Sequence, residues 1–311
     1  MKHRRLAAIA AVVAIVGATT AATLPPVPID RPQPLPALTA QALAARYTAN
    51  AHRIALATSA AKKAGDTSLV RALAGLRGRA HRLIDFDPNN QGLAVEVVGD
   101  LDTATRVAIL VPGSDTSLAT FDSRGTASPD GAAAALAAQV RQLDPGVRLA
   151  IIAWLGYPTP DTLSPGVLTS GDARRGAMAL RSFTSQLTRD GRQVALLCHS
   201  YGSVVCGLAA PHLPVTDIAV FGSPGMDASS ARSLDSRARV WAGRGTGDWI
   251  GDVPHIRLLG LGFGQDPTAP AFGARIFDCG DAGHSDYFRP GGIALRNLAY
   301  IALGEPSGVT R

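Results

Sequence analysis

A serine between two small residues is the feature of the sequence that most directly suggests chemistry. The hexapeptide CHSYGS, residues 198–203, follows a strongly apolar run and precedes apolar residues at helical spacing. A chain that turns sharply from a buried strand into a helix needs small residues two positions either side of the tip, because strand and helix would otherwise collide. Cys198 and Gly202 meet this need. The turn would hold the Ser200 hydroxyl near a helix N-terminus, so we predict Ser200 as a nucleophile, with a structural turn as the alternative.

A serine hydroxyl needs a base to remove its proton, and the base needs a third group to orient it. In enzymes with this strand–turn–helix motif, an acid and then a histidine follow the serine along the chain. We predict His284 as the base because it lies in a glycine-flanked loop between the last strand and the last helix. His212 and His255 each neighbour a proline and are interpreted as loop residues. His199 precedes the serine and is expected to pack or to hydrogen-bond.

The acid is expected shortly after the predicted strand Val240–Ala242. Asp248 and Asp252 both meet this condition, and we favour Asp248. Asp252 is the next candidate, and Asp227, which follows an earlier strand, is the third.

The negative oxygen of a tetrahedral intermediate needs two backbone N–H groups. One is predicted at Tyr201, directly after the nucleophile. The other is predicted at Ser114, in the loop after the run Val107–Val111, where Gly113 would allow the backbone to approach closely.

The elements that must position these residues follow an alternating pattern. Strand-like runs are predicted at Leu93–Val98, Val107–Val111, Leu149–Trp154, Val194–Cys198, Ile218–Phe221, Val240–Ala242 and Ala274–Phe277. Helices are predicted at Gly131–Leu143, Ala173–Thr188, Tyr201–Ala210 and Ile293–Leu303. Strands that alternate with helices favour an α/β fold, with a mostly parallel central sheet and helices on both faces.

Four segments together resemble the α/β-hydrolase superfamily and, within it, a family of actinobacterial hydrolase-like proteins. They are Val111–Gly113, His199–Ser203, Asp248–Ile250 and Gly283–Phe288. The resemblance covers residues 85 to 305 and implies the α/β-hydrolase fold, with a triad of Ser200, Asp248 and His284. The chain departs from the family pattern at Trp249, where proline is usual, and at Cys198, where glycine is usual.

The N-terminal third divides into three segments. Residues 1–24 combine a basic start, an apolar stretch and small residues, which predicts an exported protein with a signal peptide or a retained membrane anchor. Residues 25–37 form a proline-rich linker. Residues 38–85 are predicted as a helical hairpin, broken at Gly65 and capped at Asp66, that precedes the hydrolase domain at 86–306. The protein is thus expected to be secreted or attached to the cell envelope.

The composition and charge of the chain exclude some classes of binding partner. The 311 residues are 46% hydrophobic and 17% charged, which suits a folded core. The net charge of +6 is scattered, without the clustered basic footprint that nucleic acid requires. The sequence contains neither a CxxC nor an HExxH pattern, so we expect no metal, and the chemistry calls for no cofactor. An exported protein could pair two of Cys198, Cys206 and Cys279, but we favour three small buried thiols.

These residues predict a serine hydrolase that cleaves a small-molecule or lipid carboxyl ester through an acyl-enzyme. Loops 155–170 and 256–263 are candidates to line its pocket. One alternative is acyl transfer by the same residues to an envelope lipid or sugar. Another is a non-catalytic envelope binding protein on the same scaffold, which would have no reason to keep a serine, an acid and a histidine.

Overall fold

An eight-stranded sheet lies at the centre of the part of the chain that the structure describes. The computed structural model describes residues 35–78, 82–89, 92–123, 125–189, 191–253 and 262–311. Its strands are β1 (Leu83–Asp87), β2 (Leu93–Val98), β3 (Arg106–Val111), β4 (Leu149–Leu155), β5 (Gln193–His199), β6 (Asp217–Phe221), β7 (Gly225–Ala228), β8 (Arg239–Gly243), β9 (Phe263–Gly264) and β10 (Arg275–Ile276). Its α-helices are α1 (Leu43–Ala64), α2 (Thr67–Gly78), α3 (Leu118–Phe121), α4 (Pro129–Leu143), α5 (Gly171–Thr188), α6 (Gly202–Ala209) and α7 (Ile293–Leu303).

The strand order of the sheet is β1-β2-β4-β3-β5-β6-β8-β10. The pairs β1–β2 and β2–β4 are antiparallel, and all the pairs from β4 to β10 are parallel. Strand β5 lies between β3 and β6, and its residues from Val194 to Cys198 are all buried, which explains its nearly continuous apolar sequence. The predicted α/β fold with a mostly parallel sheet is confirmed. The short pair β7–β9 lies outside this sheet and was not predicted from the sequence.

Helices cover both faces of the sheet. Leu196 of β5 belongs to a core cluster shared with helices α5 and α6, whereas its neighbour Leu197 belongs to a second cluster shared with α4 and α7. Consecutive side chains of a strand point to opposite faces, so this division places a helical layer on each side. The layers leave the carboxyl ends of β3, β5, β6 and β8 together at one edge of the sheet.

The helical hairpin packs against the edge of the sheet rather than forming a separate unit. Gly65 ends α1 with a left-handed φ of 72°, and the carboxylate of Asp66 accepts a bond of 2.9 Å from the backbone of Leu69, as a capping residue does. The side chain of Asn50 in α1 donates to the carbonyl oxygen of Leu83 in β1 at 2.9 Å. The prediction that helical spacing continues through Leu83 is wrong, because this residue begins a strand that pairs with β2.

Several predictions concern residues outside the described ranges. They are the signal peptide or anchor, the linker up to residue 34, the candidate His255 and most of the loop 256–263. Within the described ranges, none of the helices has the length and apolar character needed to cross a bilayer. Within the same ranges, no three His, Cys, Asp or Glu side chains are grouped so that they could hold a metal ion.

Candidate active site

The turn between β5 and α6 is tight and strained. Ser200 has a φ of 51°, in the left-handed region that costs a non-glycine residue about 1 kcal/mol or more. Its backbone N–H donates to the carbonyl of Phe221 in the neighbouring strand at 3.0 Å, which fixes the tip of the turn. A Cβ atom on Gly202 would lie 2.5 Å from the carbonyl oxygen of Val111. The requirement for a small residue at this position is therefore steric, as the sequence predicted.

Cys198, the small residue two positions before Ser200, is joined to helix α6 by a disulfide. Cys198 at the end of β5 pairs with Cys206 in α6, with their Cα atoms 6.5 Å apart, and Cys279 is free and buried. The expectation of three free thiols is wrong for this pair. The sharp turn folds α6 back beside the end of β5, so two residues separated by eight positions come within bonding range.

A chain of hydrogen bonds connects Ser200 to a buried carboxylate. The Nε2 atom of His284 lies 2.9 Å from the Oγ atom of Ser200, and its Nδ1 atom lies 2.8 Å from Oδ1 of Asp248. The carboxylate can only accept while it is ionised, so Nδ1 carries the proton and Nε2 is left to accept from the hydroxyl. The side chain of Asp248 is fully buried and that of His284 is 15% exposed.

Asp248 is held ionised by its donors. Burial would raise the pKa of this carboxyl, but hydrogen bonds from His284, from the hydroxyl of Tyr287 and from the backbone of Ile250 outweigh burial and lower the pKa below its ordinary value. The Tyr287 hydroxyl donates to Oδ2 at 2.5 Å, and the Ile250 N–H donates to Oδ1 at 2.9 Å. Burial and the bond to Asp248 raise the pKa of Tyr287, so it remains a donor.

His199 holds the loop that carries His284. Its Nε2 atom donates to the backbone carbonyl of His284 at 2.7 Å, and its ring packs against those of Phe221 and Tyr287, with centroids 5.5 and 5.8 Å away. Burial and the neighbouring His284 ring lower the pKa of His199 to about 4, so it is uncharged at neutral pH. The expected packing or hydrogen-bonding role of His199 is confirmed on both counts.

The other candidates lie elsewhere. Asp252 is exposed to solvent, and Asp227 lies in β7. His212 is also exposed and lies 3.3 Å from the carboxylate of Asp235. The structure therefore brings His284 together with Asp248 and with neither of the alternative acids.

The loop after β3 lies directly against the serine. A Cβ atom on Gly113 would lie 2.7 Å from Cβ of Ser200, so a larger residue would displace the loop. The loop is held from the other side by the hydroxyl of Tyr157, which donates to the carbonyl of Pro112 at 2.8 Å. The hydroxyl of Thr159 donates to the carbonyl of Thr116 at 2.7 Å. The backbone of the predicted oxyanion donor, between these two bonds, is thus fixed before any ligand binds.

The serine opens into a cavity of about 710 Å³. Its lining includes both predicted oxyanion donors, Ser114 and Tyr201, and the ring of His284. Apolar side chains line much of the rest, namely Leu110, Val167, Leu168, Leu197, Phe221, Trp249, Ile250, Val253, Phe263 and Phe288. A second group, from the loops after β3 and β4, carries hydroxyls, namely Ser114, Thr116, Thr120, Ser123, Thr126, Ser128 and Thr162. This volume is in the range of small-molecule sites.

The geometry agrees with a comparison against known families. A family model described as alpha/beta hydrolase matches residues 87–258, more than half of the chain. This chain belongs to the α/β-hydrolase family. The matched range includes Ser200 and Asp248 and ends before His284. Membership supports a hydrolase activity for this α/β-hydrolase.

Two relatives of this α/β-hydrolase are mycobacterial. An uncharacterized protein of Mycobacterium tuberculosis is 32% identical over 262 residues, which cover 72% of this chain and 39% of that protein. An uncharacterized protein of Mycobacterium bovis is 34% identical over 151 residues, which cover 46% of this chain and 56% of that protein. The chain therefore spans about two fifths of the length of the first relative.

Solved structures also resemble this α/β-hydrolase. A serine hydrolase without a lid from Xanthomonas campestris is 13% identical with a TM-score of 0.43, over 68% of this chain and 88% of that chain. Esterase PE8 is 16% identical with a TM-score of 0.41, over 62% of this chain and 91% of that chain.

The residues that support this site in the α/β-hydrolase were not predicted from the sequence. Tyr287 lies within the segment that carries the family resemblance, three positions after His284, and this proximity was the available signal. Tyr157 and Thr159 lie in a loop that was expected to line the pocket, but nothing in their sequence context indicates that they hold the loop after β3.

Proposed function

We propose that this α/β-hydrolase is a serine hydrolase that cleaves carboxyl esters. The single observation that carries the proposal is the continuous hydrogen-bonded chain from Ser200 through His284 to Asp248, at 2.9 and 2.8 Å. Both distances fall within the range expected between a nucleophile, its base and an orienting acid. The strained backbone at Ser200 adds support, because such strain concentrates at functional sites.

In the proposed acylation step, Ser200 Oγ attacks the carbonyl carbon of the ester while His284 Nε2 takes the hydroxyl proton. Asp248, ionised and buried, stabilises the imidazolium that forms. The backbone N–H groups of Ser114 and Tyr201 would then donate to the oxyanion, and removal of one such donor costs about 3 kcal/mol in other hydrolases. The imidazolium returns its proton to the departing alcohol oxygen, leaving an acyl-enzyme.

Deacylation repeats these steps with water as the nucleophile. His284 removes a proton from water, the hydroxide oxygen bonds to the acyl carbon, and the bond to Ser200 Oγ breaks as that oxygen regains a proton. Every proton transfer in this sequence is made by groups of the chain itself. Hydrolysis through a serine, a histidine and an aspartate requires neither a metal nor an organic cofactor.

An apolar region at the base of the cavity supports an ester with a hydrophobic part. Leu110, Leu197 and Phe221 line it at the ends of β3, β5 and β6, and each is buried. A hydrocarbon chain placed there would leave water for a surface that is already apolar, which is worth about 0.8 kcal/mol for each CH₂ group.

Export from the cytoplasm is part of the proposal. The Cys198–Cys206 disulfide supports it, because structural disulfides persist in oxidising compartments and are rare in the cytosol. Fractionation of cells that express the full chain, followed by mass measurement of the mature protein, would test export and separate a cleaved signal from a retained anchor. Recovery of full-length protein in the cytosolic fraction alone would contradict export.

The catalytic proposal is tested by hydrolysis of p-nitrophenyl butyrate. We expect kcat/KM to fall by at least about 10⁴-fold in Ser200→Ala and in His284→Ala, since triad members act as a unit. Ser182→Ala is the matched control, because Ser182 is exposed on α5 and outside the cavity, and it should retain wild-type activity. Activity that survives in folded Ser200→Ala would contradict the proposal.

A further inference from the structure

Trp249 occupies an unusual position for a large apolar side chain. It follows Asp248, lines the cavity and leaves 52% of its surface exposed. Its ring centroid lies 4.6 Å from that of His284, with the planes tilted by 42°. One part of the indole therefore covers the imidazole, while another part faces solvent at the mouth of the cavity.

The chemistry of the proposed reaction identifies which part of a substrate would meet this surface. His284 Nε2 returns a proton to the oxygen of the departing alcohol, so that oxygen must come within hydrogen-bonding distance of the imidazole. A side chain that packs on the imidazole and lines the same cavity consequently lies beside the alcohol part of the ester. Trp249 is in this position, and Ile250 and Val253 extend its wall along the following turn.

The side of the cavity formed by the loop after β3 differs from this wall. It presents hydroxyl groups, but much of their hydrogen-bonding capacity is used within the loop itself. The hydroxyl of Thr120 accepts from the backbone N–H of Ser117 at 2.9 Å, and that of Ser123 donates to the carbonyl of Thr120 at 3.0 Å. The hydroxyl of Ser128 donates to the carbonyl of Ser123 at 2.8 Å. The described residues of the wall at Trp249, by contrast, contribute the apolar side chains of Trp249, Ile250 and Val253.

We infer that Trp249, Ile250 and Val253 form a leaving-group subsite that takes an apolar alcohol, with the exposed face of the indole against the ring or chain of that alcohol. The inference rests on the proposed ester hydrolysis. In the step concerned, the new bond joins Ser200 Oγ to the acyl carbon and the bond from that carbon to the alcohol oxygen breaks. The alcohol oxygen leaves with the proton that His284 removed from Ser200. The substrate class is therefore an ester of an aromatic or long-chain alcohol.

Two esters that differ only in the alcohol test this inference. Methyl butyrate and benzyl butyrate share an acyl group, and their alcohols have similar acidity, so the ratio of their kcat/KM values reports contacts with the alcohol. We expect the wild-type protein to prefer benzyl butyrate at least tenfold. Trp249→Ala should reduce the preference by about tenfold, mainly through KM, because an aromatic contact is lost. Trp249→Phe keeps a ring and should retain most of the preference.

The control is Met178→Ala, another large and exposed apolar side chain, which lies on α5 outside the cavity. It should leave both kcat/KM values unchanged. If Trp249→Ala slows both esters equally, or neither, Trp249 only supports His284 and the inference is overturned while ester hydrolysis stands. Labelling with a fluorophosphonate separates the two failures. A wild-type protein that is labelled and cleaves p-nitrophenyl butyrate, but does not prefer benzyl butyrate to methyl butyrate, overturns the subsite alone. A protein that is neither labelled nor active overturns the proposed function.

Discussion

Two buried aspartates lie at opposite ends of neighbouring parallel strands, one at the amino end and one after the carboxyl end. They accept similar numbers of hydrogen bonds but face different partners. Asp217 begins β6 and accepts two bonds of 2.7 Å from the guanidinium of Arg239, with a third of 2.9 Å from the indole of Trp241. Asp248 follows β8 and accepts from His284 and from two further groups. Both carboxylate side chains are almost completely buried.

The partner determines what each carboxylate can do. Arg239 is a permanent cation, and the bond to Asp217 raises the pKa of its guanidinium further. In the proposed reaction His284 takes the proton of Ser200 and later gives it up, so the charge opposite Asp248 changes during each cycle. In the proposed function, one end of these strands uses a buried carboxylate for stability, and the other uses one to support proton transfer by His284.

Replacement of Asp248 should give the largest effect on activity. We expect Asp248→Asn to lower kcat by about 10⁴-fold with little change in folding, because an amide no longer fixes the reactive tautomer of His284 or stabilises its cation. Ester hydrolysis and circular dichroism measure the two effects. Asp252→Asn, at the exposed alternative acid, is the matched control and should retain activity. Activity that is kept in Asp248→Asn and lost in Asp252→Asn would assign the role of the acid to Asp252.

Replacement of Asp217 should give the reverse pattern. We expect Asp217→Asn to lower the free energy of unfolding by about 3 kcal/mol, because Arg239 keeps its charge and loses its carboxylate. Folded molecules of the variant should hydrolyse esters at the wild-type rate. Urea unfolding would measure the loss, with Asp235→Asn as the control, since Asp235 is exposed and its left-handed backbone suits asparagine. A large loss of activity in folded Asp217→Asn would remove the distinction between the two ends.

These two aspartates also show which features of the site follow from local sequence patterns and which depend on tertiary packing. The position of Asp248 beside His284 could be expected from local patterns, namely a strand, a turn of small residues and a loop. The contacts that support it could not be predicted in the same way. Tyr287 reaches Asp248, and Cys198 reaches Cys206, through the packing of whole elements. For β1, helical spacing of leucines was mistaken for a continuing helix, because pairing with β2 decides the conformation of that segment.

The pH dependence of stability should distinguish the two ends further. The pKa of His199 falls from 6.5 to about 4 on folding, so the unfolded chain takes up a proton in this window and the folded protein does not. Stability is therefore complete above pH 6.5 and should fall by on the order of 2–3 kcal/mol as the pH drops to 4. Urea unfolding across this window measures the fall. In His199→Gln, whose amide can still donate to the His284 carbonyl, this part of the dependence should disappear. An unchanged profile in His199→Gln would show that protonation of His199 does not cause this loss of stability.

Removal of the Tyr287 hydroxyl should have the smallest effect of the four. We expect Tyr287→Phe to lower kcat about tenfold, since Asp248 loses one donor, worth about 1–2 kcal/mol, and keeps two. KM should change little, because Tyr287 acts through Asp248. Tyr300→Phe, on α7 and outside the lining of the cavity, is the control and should not change kcat. Equal loss of kcat in both variants would assign the effect to general packing.

The role of Ser200 as nucleophile is tested most directly by the site at which a fluorophosphonate bonds covalently to the wild-type protein. Peptide mapping by tandem mass spectrometry identifies the modified residue. We expect a single adduct on Ser200, absent in Ser200→Ala and formed much more slowly in His284→Ala, because the hydroxyl then has no base. An adduct on a different serine, or labelling at an undiminished rate in either variant, would contradict it.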